Sequence, residues 1–183
     1  MRTISKIIIG AITLISAASC GNNTKTLLPN VSGKAGEVII VIGKDDWEGN
    51  LGNEIGSLLA RDCEYLPQRE PLYSLVNLSP GAFSDMFKIH RNIVIFNIDS
   101  TVTKQGVVYR TDVWAHPQCV IQVNAACADS AIAVLSRNGE NITGAIEQAE
   151  RNRVIANTLL YEESKLGDVV AKMIGGRIHF PIG

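Results

Sequence analysis

The chain has 183 residues, a net charge of −1 and 46% hydrophobic residues, enough for one globular domain with a real core. Its 17 basic and 18 acidic residues nearly cancel. That balance excludes a basic field for nucleic acid, and no single-sign run suggests a polybasic membrane patch.

The first element is a short positive start, Arg2 and Lys6, followed by the apolar or small run "IIIGAITLISAA" from Ile7 to Ala18. A membrane-spanning helix needs about 20 such residues, so the run has the length of a signal-peptide core instead. Ala17, Ala18 and Ser19 are small, and Cys20 follows at once. This arrangement resembles a bacterial lipobox, with Ala17 where leucine is usual. The resemblance implies cleavage before Cys20 and lipidation of its sulfur, and several acyl chains give a stable anchor. The competing reading is an ordinary signal peptide that happens to end near a cysteine. Gly21 stands where an inner-membrane lipoprotein commonly has Asp, and no acidic cluster follows. The expected location is therefore the cell envelope, at the periplasmic face of the outer membrane. Residues 1–19 are read as the signal, 20–35 as the lipidated cysteine and a flexible polar tether, and 36–183 as a single domain.

"GEVIIVIG" (Gly36–Gly43) is an unbroken β-branched run, the pattern of a strand buried on both faces. A turn-rich "KDDWEGN" leads into a helix that places Leu51, Ile55, Leu58 and Leu59 on one side. "LYSLVNL" reads as a short strand. Ser79 and Pro80 then open a helix carrying Phe83, Met86 and Phe87. "RNIVIFNI" is a second core strand. "VVYRTDVW" and "CVIQVNA" alternate, the latter with Cys119, Ile121, Val123 and Ala125 on one face, and "AHPQ" joins them as a hairpin. "ADSAIAVLSRNG" reads as a helix ending at Gly139, and a second helix runs from about Asn141 to Ile174 with a break near Gly167. "RIHFPIG" reads as a last strand. These elements predict an α+β fold, a mixed and mostly antiparallel sheet with a helical layer packed on it.

Long blocks of the mature chain, among them "SGKAGEVIIVIGKDDWEGNLGNEI", "LPQREPLYSLVNLSPGAFSDMFKIHRNIVIFNID" and "ENITGAIEQAERNRVIANTLLYE", resemble the uncharacterised lipoproteins of Bacteroidota grouped as a domain of unknown function. The likeness spans about Leu28 to Pro181. It implies a lipidated amino terminus and a kinship without an established activity. Relatives continue beyond the point matching "IHFPIG", so the resemblance implies a chain shorter than typical members.

Catalytic signatures are thin: there is no G-x-S-x-G or H-E-x-x-H, and "GKDDWEG" lacks the spacing of a phosphate loop. Without Cys20, three cysteines remain (Cys63, Cys119 and Cys127), at least one of them unpaired. No C-x-x-C pair suggests zinc, so neither metal nor cofactor is expected. Three constellations remain as candidate contacts. Asp46 and Trp47 follow the first core strand, where a turn with a packed indole competes with a sugar or cation site. Arg153 falls inside an apolar helical stripe, so it needs a partner; Glu150 is in i,i+3 reach, with Glu70 and Asp99 as alternatives. Arg91, with Arg69, Glu70 and His90, lies at strand edges. The leading reading is a non-catalytic envelope module held by its lipid, binding another envelope protein or a small ligand. The alternative is a periplasmic sugar-binding protein or enzyme using the Asp46/Trp47 loop.

Overall fold

The computed structural model describes residues 27–182; the apolar run 7–18, Cys20 and the tether up to 26 lie outside the described residues. Five strands, β1 (Glu37–Val41), β2 (Ser74–Leu78), β3 (Asn92–Ile98), β4 (Gly106–Thr111) and β5 (Cys119–Ala125), form one sheet in the order β2-β1-β3-β5-β4. The helices are α1 (Lys44–Glu48), α2 (Asn50–Leu59), α3 (Asp85–Lys88), α4 (Ala128–Leu160) and α5 (Ser164–Ile174). The α+β class therefore holds.

The sheet, however, is mostly parallel rather than mostly antiparallel: β1 pairs in parallel with β2 and β3, and β3 with β5. Only β4 and β5 run antiparallel. Connection length is the reason. The short turn between Thr111 and Cys119 permits a hairpin, whereas Ile42–Tyr73 and Ser79–Arg91 are long enough to cross over and return in the same direction. Parallel strands covered on both sides read as continuous apolar runs, which is what "VIIV" and "IVIF" are.

Alternate residues of each strand feed two cores. Val38, Ile40, Val94, Ile121 and Val123 face α2 and α4 together with Leu51, Ile55, Val134, Ile142 and Ile146. Ile39, Val41, Ile93 and Val120 face the opposite side, under Phe83, Phe87 and Trp114. Phe83 and Trp114 meet edge to face, with ring centroids 5.7 Å apart. The helix expected after Ser79 is instead a 3₁₀ turn, Pro80–Ala82, followed by the four-residue α3; Met86 points outward.

α4 passes through Gly139 without a stop. A side chain there would press on the Leu58 methyl groups, at 2.8 Å from Cβ to Cδ1, so this glycine serves helix packing, not termination. The break falls at Tyr161–Glu163, ahead of Gly167. Arg177–Ile182 forms no ladder strand; it lies against the Tyr161–Glu163 break through a bridge between Glu162 and Pro181, backbone hydrogen bonds from Glu163 and Ile182, and ion pairs of Arg177 and His179 with Glu162. At the other end, Pro29–Gly33, expected in the tether, lies against the domain. Val31 N–H donates to the His116 carbonyl, and Ser32 exchanges backbone hydrogen bonds with Ile89 and Arg91.

Candidate functional site

Near-continuous apolar strands leave polar residues mainly towards their ends, and one set gathers where β1, β3 and β5 begin. α4 runs over this edge. Its buried residues Val134, Leu135, Ile142 and Ile146 recur at helical spacing, and Arg153 continues that stripe two turns beyond Ile146.

Arg153 is 8% exposed and reaches back onto the sheet. Its Nε donates to the Pro117 carbonyl at 2.9 Å and its Nη2 to the Arg91 carbonyl at 2.7 Å. Its Nη1 donates to Asn92 Oδ1 and pairs with Glu150 Oε1, both at 3.1 Å. One planar fork thus ties α4 to the residues that open β3 and β5, a geometry that suits arginine and not lysine. Burial draws the Arg153 pKa below its ordinary value, against the opposing pull of Glu150; an arginine remains charged regardless.

Glu150 is as fully engaged. Its Oε1 accepts from Asn92 Nδ2 at 2.7 Å and from the Gly36 N–H at 3.4 Å, and Oε2 meets Arg91 Nη2 at 2.9 Å. Asn92, fully buried, also donates to the Glu37 carbonyl. Next to it, His90 Nε2 lies 3.0 Å from Glu37 Oε2, and Gly33 crosses the imidazole so closely that a Cβ would fall 2.1 Å from Nε2. Gln118 holds the carbonyls of Lys88 and His90, while Asp112 accepts from the Gln118 N–H and meets His116 Nδ1 at 2.9 Å. The Arg91 Nε is buried without a hydrogen-bond partner.

Over this floor lies a groove of about 660 Å³, between Asn30–Ala35 on one side and the last turns of α4 on the other. Arg91, Glu150 and Arg153 line its base; Val31, Val154 and Leu160 supply apolar wall, and Asn30, Asn157 and Thr158 polar wall. A concave, largely apolar surface with a few fixed polar groups is the usual form of a binding site.

The His90 hydrogen bond, with the Lys34 N–H second, holds the Glu37 carboxyl below its ordinary value of 4.5. A carboxylate depressed by folding adds stability above its unfolded pKa, and that stability is lost as pH falls through the folded value. The urea midpoint is therefore expected to decline below pH 4.5, with a shallower decline in Glu37→Gln. Equal slopes in the two proteins would remove Glu37 from the acid response.

Of the residues singled out from sequence, Arg91, Glu150 and Arg153 come together here. Glu70 does not: it sits in an exposed loop where its carbonyl accepts the Cys63 N–H. Asp99 is also remote, at the far end of β3, where it accepts from Thr101. Asp46 and Trp47 lie in α1 beyond the opposite end of β1, with Trp47 packed against the core. Ligands of open α/β sheets commonly bind beyond the C-terminal strand ends; this groove lies at the N-terminal ends. Asn92 and Glu37 escaped notice, although "HRN" ahead of an apolar run signals polar residues with buried backbone to satisfy. Cys119 is buried, which pushes its thiol up to about 11; Cys63 is half-buried and Cys127 exposed.

No curated protein and no solved structure matches this chain. A family model does match, from residue 31 to residue 159, so it takes in the sheet, the clamp that Arg153 and Glu150 form on it, and nearly all of α4. By that match the chain belongs to the family described as Domain of unknown function (DUF8532).

Proposed function

We propose that this protein is a non-catalytic binding module of the cell envelope, anchored by lipid on Cys20 at the periplasmic face of the outer membrane, and that the groove over Arg91, Glu150 and Arg153 receives its partner. The single observation that carries the reading is the groove itself. Its charged floor is internally paired and so held fixed, between walls that offer both apolar surface and the polar side chains of Asn30, Asn157 and Thr158. General acid–base work needs a group free to give or take a proton, whereas both oxygens of Glu150 and most donors of Arg153 are held by neighbours. Such a floor suits recognition of another envelope protein or a small envelope ligand. The signal and lipobox of the amino terminus, and the resemblance to Bacteroidota lipoproteins, support the location.

The test has two parts. Fatty-acid labelling of the wild type and of Cys20→Ala in separated envelope fractions is expected to give label and membrane recovery only for the wild type. An unlabelled wild type would remove the anchor. Photo-crosslinkers placed at Asn157 and at Asp46 then separate the two ends of the domain. A discrete adduct is expected from Asn157 and is expected to vanish when Val154→Asp alters the wall. An adduct from Asp46 alone would move the binding function to the Asp46/Trp47 end.

A further inference from the structure

α5 is an amphipathic helix that the domain does not use. Leu166, Val169, Met173 and Ile174 form a stripe along it and are 45–78% exposed, and Gly167 is its only buried residue. It packs substantially on no strand and on no other helix. A helix of 11 residues is marginal in water by itself, so its apolar stripe calls for a cover.

From these observations we infer that the cover is the bilayer surface: α5 lies in the headgroup plane with its stripe turned into the lipid. Three features select this occupant. First, α5 hangs between Leu160 and Pro181, which line the same groove as Asn30 and Val31, so it belongs to the end of the domain where the described chain begins. Leu27 follows Cys20 by seven positions, a reach of at most about 25 Å, so a lipid on Cys20 holds this end against the membrane. The inference rests in this respect on the anchor proposed above. Second, Lys165 and Lys172 are exposed on one flank of the stripe and form no ion pair among the described residues, an arrangement that favours anionic headgroups over a protein surface. Arg177, by contrast, is tied to Glu162 and Asp168 at 3.0 Å each, which fixes the chain leaving α5. Third, a stripe about 16 Å long, paired with a second copy of itself, falls short of the roughly 1,200 Å² at which specific protein interfaces begin.

The full chain, purified from envelopes and reconstituted into vesicles of phosphatidylcholine and phosphatidylglycerol with brominated acyl chains, provides the test. Met173→Trp places an indole on the stripe at an exposed site that folding does not require, and Val108→Trp places one on the exposed edge strand β4. An interfacial helix sits about 5–10 Å into the headgroup and acyl boundary, within reach of the bromines. Measured as the difference from wild-type emission, to which Trp47 and Trp114 contribute, the Met173→Trp indole is expected to be quenched and blue-shifted, less so when phosphatidylglycerol is omitted, and the Val108→Trp indole to stay unquenched. If the chain is anchored but both indoles stay unquenched, the inference fails and the anchor stands. A blue shift that grows with protein concentration without bromine quenching overturns it in favour of a second copy. Quenching in a chain whose Cys20 carries no fatty acid sustains the inference and removes the anchor. A chain that neither carries lipid nor meets the vesicles overturns both.

Discussion

Arg153→Met is expected to lower the unfolding free energy by about 3–5 kcal/mol, the cost of removing one member of a buried ion pair and leaving the other in place. The methionine keeps much of the side-chain volume, so the loss is polar. Without the guanidinium, the carbonyls of Pro117 and Arg91 lose a donor, and Asn92 Oδ1 and Glu150 Oε1 lose another. Arg91 still meets Glu150 Oε2, which keeps the effect from rising further. Arg153→Lys restores a charge without the fork, so its midpoint is expected between the two. Glu150→Gln combined with Arg153→Met is expected to cost less than the sum of the single changes, because the two residues share partners. Urea unfolding of the wild type, the three single variants (Glu150→Gln among them) and the double variant reads this directly. A loss below about 1 kcal/mol for Arg153→Met would place the clamp among solvent-screened surface pairs and would deprive the groove of its rigid floor.

Ile40→Ala is expected to cost about 2–5 kcal/mol, and Ile39→Ala to fall near the lower end of that range. Both side chains are at most 1% exposed, neighbours on β1 that point to opposite faces. Transfer of the lost methyl and methylene groups is the same for both, so the difference lies in the cavity left behind. Ile40 is enclosed between the sheet and two helices, with Leu51, Ile55, Ile142 and Ile146 sharing its cluster. Helix backbones do not close around a missing side chain easily. Ile39 lies under Phe83, Phe87 and Trp114, on a 3₁₀ turn, the four-residue α3 and a loop, which are freer to settle inward. Against a total stability of about 5–15 kcal/mol, the Ile40 change takes a large share. Equal costs measured by urea unfolding would mean that both faces are equally unyielding, and that the thin layer is as rigid as the helical one.

The sequence was a good guide where one physical rule dominated. Strands β1 and β3 are continuous β-branched runs, and no helical pattern competes with them. Cys119, Ile121, Val123 and Ala125 share one face of β5 as alternation requires. Arg153 stood out because a charge inside an apolar stripe demands a partner, and Glu150 one turn away is that partner. It failed where local chemistry had two uses. Gly139 looks like a helix stop, but the same missing Cβ lets Leu58 pack against α4. "RIHFPIG" has a strand-like composition, yet no neighbouring strand is present among the described residues to complete a ladder.

By itself, then, the sequence determined the core strands, the two-sided burial of the central ones, and the need of Arg153 for compensation, because these follow from periodicity and from the cost of burying charge. It also carried the apolar run 7–18 and Cys20 behind it, on which the proposed anchor depends. Strand direction and strand order came only from the tertiary structure, since they depend on how long connections cross the sheet. The site did as well. Glu37, Arg91, Asn92, Pro117, Glu150 and Arg153 are scattered over more than a hundred positions, and apart from the i,i+3 step between Glu150 and Arg153 no helical or strand spacing relates them. They meet because three parallel strands start at one edge and a single long helix overhangs it, so that groups left unpaired by separate elements must satisfy one another there.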